Sequence, residues 1–141
     1  MDLAQARRAL GGIRAVWVAT VCPDGAPHVV PLWFVWQTDA VYASARHPSR
    51  TWSNVELDPR VALSFDTGRT WSELRGAVIH GRAERLSTGD ESLRPVMSTW
   101  FEKYRSLMPG DGFERLTRQV VELSFLRVVP KAFATWENGR D

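Results

Sequence analysis

The chain has 141 residues, 44% of them hydrophobic and 24% charged, with a formal net charge of +2. That balance belongs to an ordinary globular protein and excludes a disordered chain, a collagenous one and a disulfide scaffold. A single domain over residues 1–141 is the expectation from length.

In chain order, Leu3 to Leu10 reads as a short helix, closed by Gly11-Gly12 where glycine caps helices. Ile13 to Cys22 is rich in β-branched and aromatic residues and reads as a strand. Pro23-Asp24-Gly25 is a turn that leads into a second strand, Ala26 to Trp36, and the two make a hairpin. Pro27 and Pro31 cannot donate to a ladder, so this strand needs an edge or a bulge near Pro31. Gln37-Thr38-Asp39 turns into a third strand, Ala40 to Ala45. Pro48 to Leu57 reads as a helix with proline and serine near its start, ended by Asp58-Pro59. Arg60 to Asp66 is a strand and Thr67-Gly68-Arg69 a turn. Trp71 to Leu86 is a long strand or strand pair, with bends at Gly76 and Gly81. Thr88-Gly89-Asp90-Glu91 resembles a capping box, and Leu93, Met97, Trp100 and Tyr104 recur at helical spacing with Pro95 near the start. Pro109-Gly110 breaks that helix, and Phe113 to Arg118 adds a helical turn or two. Val120 to Val129 is the last long strand; Pro130 bends it and Ala132 to Trp136 extends it. Helices and strands do not alternate, so one mainly antiparallel barrel with peripheral helices is the economical arrangement.

The longest uncharged, apolar-looking run, Pro27 to Thr38, carries His28 and two prolines, so no segment is suited to span a bilayer. Residues Met1 to Arg8 lack the apolar core of a signal peptide, and a cytoplasmic location is expected. The single cysteine, Cys22, excludes an internal disulfide and a multi-cysteine metal site, and its apolar context predicts a buried, inert thiol. His28, His47 and His80 sit in unrelated contexts; no hydrolase elbow, zinc-helix pattern or Gly-rich phosphate loop is present. Sixteen of the eighteen basic residues are arginine, dispersed along the chain. Their planar forks suit phosphate and carboxylate, and their dispersal argues against nucleic acid and for a small anionic ligand. Seven tryptophans (17, 33, 36, 52, 71, 100 and 136) are core or interface anchors, or platforms for a flat aromatic ligand. One segment combines these signals. Ser44-Ala45-Arg46-His47-Pro48-Ser49-Arg50-Thr51-Trp52-Ser53-Asn54 leaves a strand, carries two arginines and opens a helix. It is either a phosphate cradle or an N-cap with two solvated arginines.

Four stretches in order make the chain resemble the pyridoxamine 5′-phosphate oxidase-like superfamily, and within it the small flavin- or deazaflavin-dependent oxidoreductases. They are Val18 to His28, Pro31 to Trp36, Ser49 to Val55 leading into Asp58 to Leu63, and Leu74 to Glu84. The resemblance, over roughly residues 4 to 136, implies a six- to seven-stranded antiparallel split β-barrel with peripheral helices. It also implies a homodimer with two cofactor sites at the subunit interface. The implied cofactor is FMN or coenzyme F-420, the deazaflavin, and the helix motif and the Trp33-Phe34-Val35-Trp36 strand are closer to the deazaflavin branch. By position the phosphate falls to Ser44, Ala45, Arg46, Ser49, Arg50 and Thr51, and the ring to Val30, Pro31, Leu32 and Trp33. Trp71 and Trp136 are the residues expected to reach in from the partner subunit. Relatives commonly carry lysine where this chain has Thr51; Arg50 and Arg46 supply charge instead. The characteristic C-terminal substrate-binding segment of a true pyridoxamine phosphate oxidase is not matched. The implied activity is hydride transfer to a small conjugated or aromatic acceptor, with no catalytic side chain required because the cofactor carries the chemistry. A non-catalytic flavin, deazaflavin or haem-binding protein is the alternative. No metal, nucleic-acid or membrane partner is expected.

Overall fold

The computed structural model describes residues 1–87, 89–108, 110–112, 115 and 123–139. Three helices are α1 (Leu3–Leu10), α2 (Arg50–Leu57) and α3 (Arg94–Tyr104). The strands are β1 (Val16–Val21), β2 (Pro27–Leu32), β3 (Phe34–Trp36), β4 (Val41–Arg46), β5 (Arg60–Thr67), β6 (Arg75–Ser87), β7 (Leu123–Val128) and β8 (Ala132–Glu137). Seven of them follow the order β2-β1-β5-β6-β7-β4-β3, all antiparallel, and β8 pairs with β6. The protein is a curled antiparallel split barrel.

Its curl is set by two local features. The strand expected over Ala26 to Trp36 is two strands, broken at Trp33, two residues past Pro31. β2 and β3 occupy opposite ends of the strand order although they are consecutive in sequence, so the sheet must bend round to bring its ends together at Trp33. The amide of Ser44 donates to the Trp33 carbonyl at 2.8 Å and joins that corner to β4. The second feature is Gly81. On one side of β6, β8 covers Arg75–His80 and β7 covers Ala83–Ser87, with the gap between them opposite Gly81. A Cβ at Gly81 would lie 2.6 Å from the Val129 carbonyl oxygen, so only glycine lets the chain cross there. At Gly76 the constraint is different: the Trp136 indole lies across the position a Cβ would take.

Turn chemistry accounts for the first hairpin. Asp24 Oδ1 accepts the Ala26 amide at 3.0 Å, and Gly25 takes φ +86°. Trp71 to Glu73, expected as strand, forms a 3-10 turn, because Glu73 Oε2 accepts the amides of Arg69 and Thr70, both at 3.2 Å. Thr88 of the expected capping box lies outside the described residues; Asp90 accepts the Ser92 amide at 2.9 Å instead. The helical turns expected over Phe113 to Arg118 and the strand start at Val120 also fall outside the described residues, Arg115 excepted.

Inside the barrel, Phe34, Trp36 and Phe65 pack with Leu63, Ile79 and Leu126; the Trp36 and Phe65 rings stack at 4.5 Å. A second apolar cluster seats α3 through Leu93, Val96, Trp100 and Tyr104 against Val35, Tyr42 and Phe125. Among the described residues, no helix is long and apolar enough to cross a membrane.

Candidate functional site

The corner at Trp33 opens onto a cavity of about 680 Å³ between β2, the end of β4, the start of α2 and α3. Alternation along β2 turns His28, Val30 and Leu32 to one face, half-buried, and all three line it with Pro31 and Trp33. Ser44, Ala45 and Arg46 from β4 and Ser49, Arg50 and Thr51 from the α2 start form a second wall, and Trp100 and Met108 close one end. Ten of the twelve residues singled out in the sequence therefore line one cavity.

The other two do not. Trp71 sits in the 3-10 turn, 74% exposed, and Trp136 is on β8 over Gly76. Conversely, His28, Trp100 and Met108 line the cavity without having been singled out. His28 was legible by period, two residues before Val30 on the same strand face. Trp100 was read as one position of a core helix stripe, and the approach of that helix to the Trp33 corner is a tertiary fact.

The cavity has two unlike ends. At the α2 end, Ser49 is the N-cap, its Oγ accepting the Trp52 amide at 3.1 Å. The first helical bond runs from Ser53 N to Ser49 O at 3.0 Å, which leaves the amides of Arg50 and Thr51 ahead of the helical ladder. Arg46 and Arg50 are exposed and, among the described residues, have no carboxylate partner. Among the described residues, no acidic side chain lines the cavity. An anion placed there meets two guanidinium groups and a helix N-terminus with no opposing charge. Ser49 caps the helix, and the two exposed arginines beside it line the cavity.

Behind α2, Asn54 is fully buried and donates to Thr20 Oγ1 at 3.0 Å and to Cys22 Sγ at 3.6 Å. These contacts tie the middle of the helix to β1 and the residue that follows it. Cys22, expected as buried, is partly exposed, because it follows the end of β1 and opens the hairpin turn. His47 lies beside Trp52, 5.4 Å between ring centroids, and His80 is exposed on the far sheet face; the three histidines stand apart.

At the other end the walls are aromatic. Trp33 stacks on Tyr104 at 4.2 Å and 6°, and the Trp33 and Trp100 rings are 5.7 Å apart at 45°. Ser44 Oγ donates to the Trp33 carbonyl at 3.1 Å and accepts Trp100 Nε1 at 3.3 Å. Tyr104 OH accepts the Phe34 amide at 2.7 Å and donates to the Arg14 carbonyl at 2.8 Å. Lys103 Nζ donates to the carbonyls of Gly11 and Phe34 at 3.0 and 2.9 Å and sits 3.6 Å from the Phe34 ring centroid. Burial pulls the Lys103 ammonium down to about 8 and pushes the Tyr104 phenol up to about 12.

The fold is shared with several solved structures. The conserved hypothetical protein Rv2991 from Mycobacterium tuberculosis is 24% identical, with TM-score 0.82, over 98% of this chain and 86% of that one. An F-420 reductase is 21% identical, with TM-score 0.68, over 91% of this chain and 94% of that one. HutZ, the haem storage protein from Vibrio cholerae, is 18% identical, with TM-score 0.72, over 98% and 93% of the two chains. No curated protein matches the sequence. The family model described as pyridoxamine 5′-phosphate oxidase matches residues 3–132. With that match spanning nearly the whole split barrel and its cavity, the chain belongs to the pyridoxamine 5′-phosphate oxidase family.

Proposed function

We propose that the cavity binds coenzyme F-420 or FMN, the deazaflavin being favoured, and that the protein is a cytoplasmic oxidoreductase reducing a small conjugated or aromatic acceptor. The observation that carries this reading is the divided lining: uncompensated arginines and a capped helix start at one end, an apolar strand face and indoles at the other. Such a lining fits a molecule that is anionic at one end and flat and conjugated at the other. The family match and the likeness of the fold to an F-420 reductase support it.

In this reading Arg46 and Arg50 clamp the phosphate, and Ser49, Thr51 and the free amides complete its hydrogen bonds. Ser44 and Ala45 border the same group. Val30, Pro31, Leu32 and Trp33 form the apolar bed that orients the ring and keeps water from one side of it. A flavin or deazaflavin held there supplies the hydride transfer itself.

A homodimer belongs to the same proposal. Strand registry puts Pro31, Trp17, Ser64, Val78 and Ala134 in one row and Val29, Ala19, Ala62, His80 and Ala132 in the next, on one sheet face. His80 is the only titratable side chain in the two rows, and Trp17 and Val29 are 47% and 57% exposed. An apolar face five strands wide calls for a cover, and a second copy supplies it. Trp71 and Trp136 of the partner subunit would then approach the cavity.

A second reading, a non-catalytic flavin, deazaflavin or haem holder, is favoured by the likeness to HutZ and by His28 in the lining. Titration of the protein with FMN, coenzyme F-420 and haem, followed by tryptophan fluorescence and absorbance, separates the two. Saturable binding of a flavin-type cofactor whose reduced form is turned over by electron acceptors is expected. Haem binding without flavin binding overturns the oxidoreductase reading.

A further inference from the structure

Among the described residues, His28 is the only side chain lining the cavity whose type changes charge near neutral pH. It is half-buried and makes no hydrogen bond or ion pair with another described residue. Its place along β2 decides which end of the cavity it serves. Four residues on lies Leu32, roughly 13 Å away at the usual strand rise, so His28 stands well clear of the Trp33 corner. The register pairs it with Thr20 of β1, and such cross-strand partners share a sheet face with Cβ atoms about 5 Å apart. Thr20 Oγ1 accepts Asn54 Nδ2 from α2 at 3.0 Å. Asn54 follows Thr51 by three residues, both are buried, and that spacing makes them neighbours on one helix face. Thr51 is itself in the cavity wall. His28 therefore belongs to the α2 end, the end that carries Arg46 and Arg50. The other titratable groups on the elements around it are engaged elsewhere. Cys22 Sγ accepts from Asn54, Asp24 holds the Ala26 amide in the hairpin turn, and Glu56 of α2 pairs with Arg85. No carboxylate claims the imidazole.

We propose that His28 is a third contact for the anion, made as the imidazolium, so that the cavity holds a phosphate-bearing ligand tightly in mildly acidic solution and loosens its hold as the pH rises. The two guanidinium groups keep their charge throughout, whereas the imidazole adds a charge-assisted bond only while protonated. The proposal rests on the cofactor reading for the identity of the ligand, and on the chain alone for the contact with an anion. Binding and protonation are linked reciprocally. If the imidazolium holds the anion, the anion holds the proton, and His28 titrates at higher pH when the site is filled.

Proton NMR of the imidazole C2 protons, followed from pH 5 to 9 in sodium sulfate and in sodium chloride of equal ionic strength, reads this directly, because sulfate keeps its charge over that range. The His28 signal is identified by its loss in His28→Gln, or by elimination with His47→Gln and His80→Gln. Its titration curve is expected to move to higher pH in sulfate, while that of His80, on the far sheet face, stays. A second arm measures the affinity for FMN and for coenzyme F-420 at pH 6.0 and 8.0 in wild type and His28→Gln. A phosphomonoester takes up a proton of its own near about pH 6, so the comparison between the two proteins carries the result. The ratio of affinity at pH 6.0 to that at pH 8.0 should be about tenfold larger in wild type than in the variant. A His28 curve indifferent to sulfate, or the same pH dependence in both proteins, overturns the proposal and leaves the cofactor reading standing wherever FMN or coenzyme F-420 still binds. If sulfate moves the His28 curve but neither cofactor binds, the cofactor reading fails and the anion contact stands.

Discussion

Lys103 and Tyr104 hold the aromatic end together from behind, and both have protonation equilibria displaced by burial. The Lys103 ammonium binds its proton less tightly folded, at about 8, than unfolded, near 10.4. Between those values the unfolded chain carries more protons, so stability rises with pH through that window and is flat below it. Tyr104 acts in the opposite sense: neutral in the fold up to about 12, it loses stability as the unfolded phenol ionises above about 10. Urea unfolding of the wild type and Lys103→Met at pH 7.5 and 9.5 should therefore show a difference between the two proteins that changes by about 1–2 kcal/mol, the wild type gaining at the higher pH. A pH-independent difference would contradict the assignment. The sequence gives no sign of this lock, because its carbonyl acceptors lie far along the chain at Gly11, Arg14 and Phe34. His28 was within reach of a period-two reading. The ten cavity residues that were anticipated came through positional likeness to a family, and their convergence needed the fold.

At the scale of elements, local chemistry announced most boundaries. Pro23-Asp24-Gly25, Ser49 before α2 and Asp58-Pro59 after it all act as their residue types dictate. Pro31 announced a defect in the second strand, but that β2 and β3 would end at opposite edges is a matter of non-local pairing that no window of sequence contains. The long strand expected from Trp71 starts at Arg75, because the Glu73 carboxylate captures two preceding amides, a side-chain competition that strand propensity ignores. Gly81 was read as a bend, and here the physical reason is a close approach. Gly81→Ala should force Val129 away from β6 and cost about 1–3 kcal/mol, measured by denaturant unfolding. An unchanged midpoint would mean that the β7–β8 crossing is not held by that contact.

For the whole molecule, the family and the curled antiparallel barrel are fixed, while assembly and cofactor are the proposals that matter. The apolar outer face of β2, β1, β5, β6 and β8 predicts a mass of about 32 kDa by light scattering at micromolar concentration, twice the 16.0 kDa of one chain. Ala62→Arg, at the middle of that face, should give a folded 16 kDa species with unchanged circular dichroism. A monomeric wild type would remove the dimer from the account.

The central claim is that the end of the cavity built by β4 and α2 holds the phosphate of a flavin-type cofactor. Its most direct test is an equilibrium titration of wild type and the Arg46→Ala/Arg50→Ala double variant with whichever of FMN and coenzyme F-420 the protein binds. Loss of two charge-assisted contacts should weaken binding by about 2–4 kcal/mol, roughly 30- to 900-fold, with thermal stability nearly unchanged because both side chains are exposed. Equal affinity of the two proteins would contradict the claim and place the anion elsewhere.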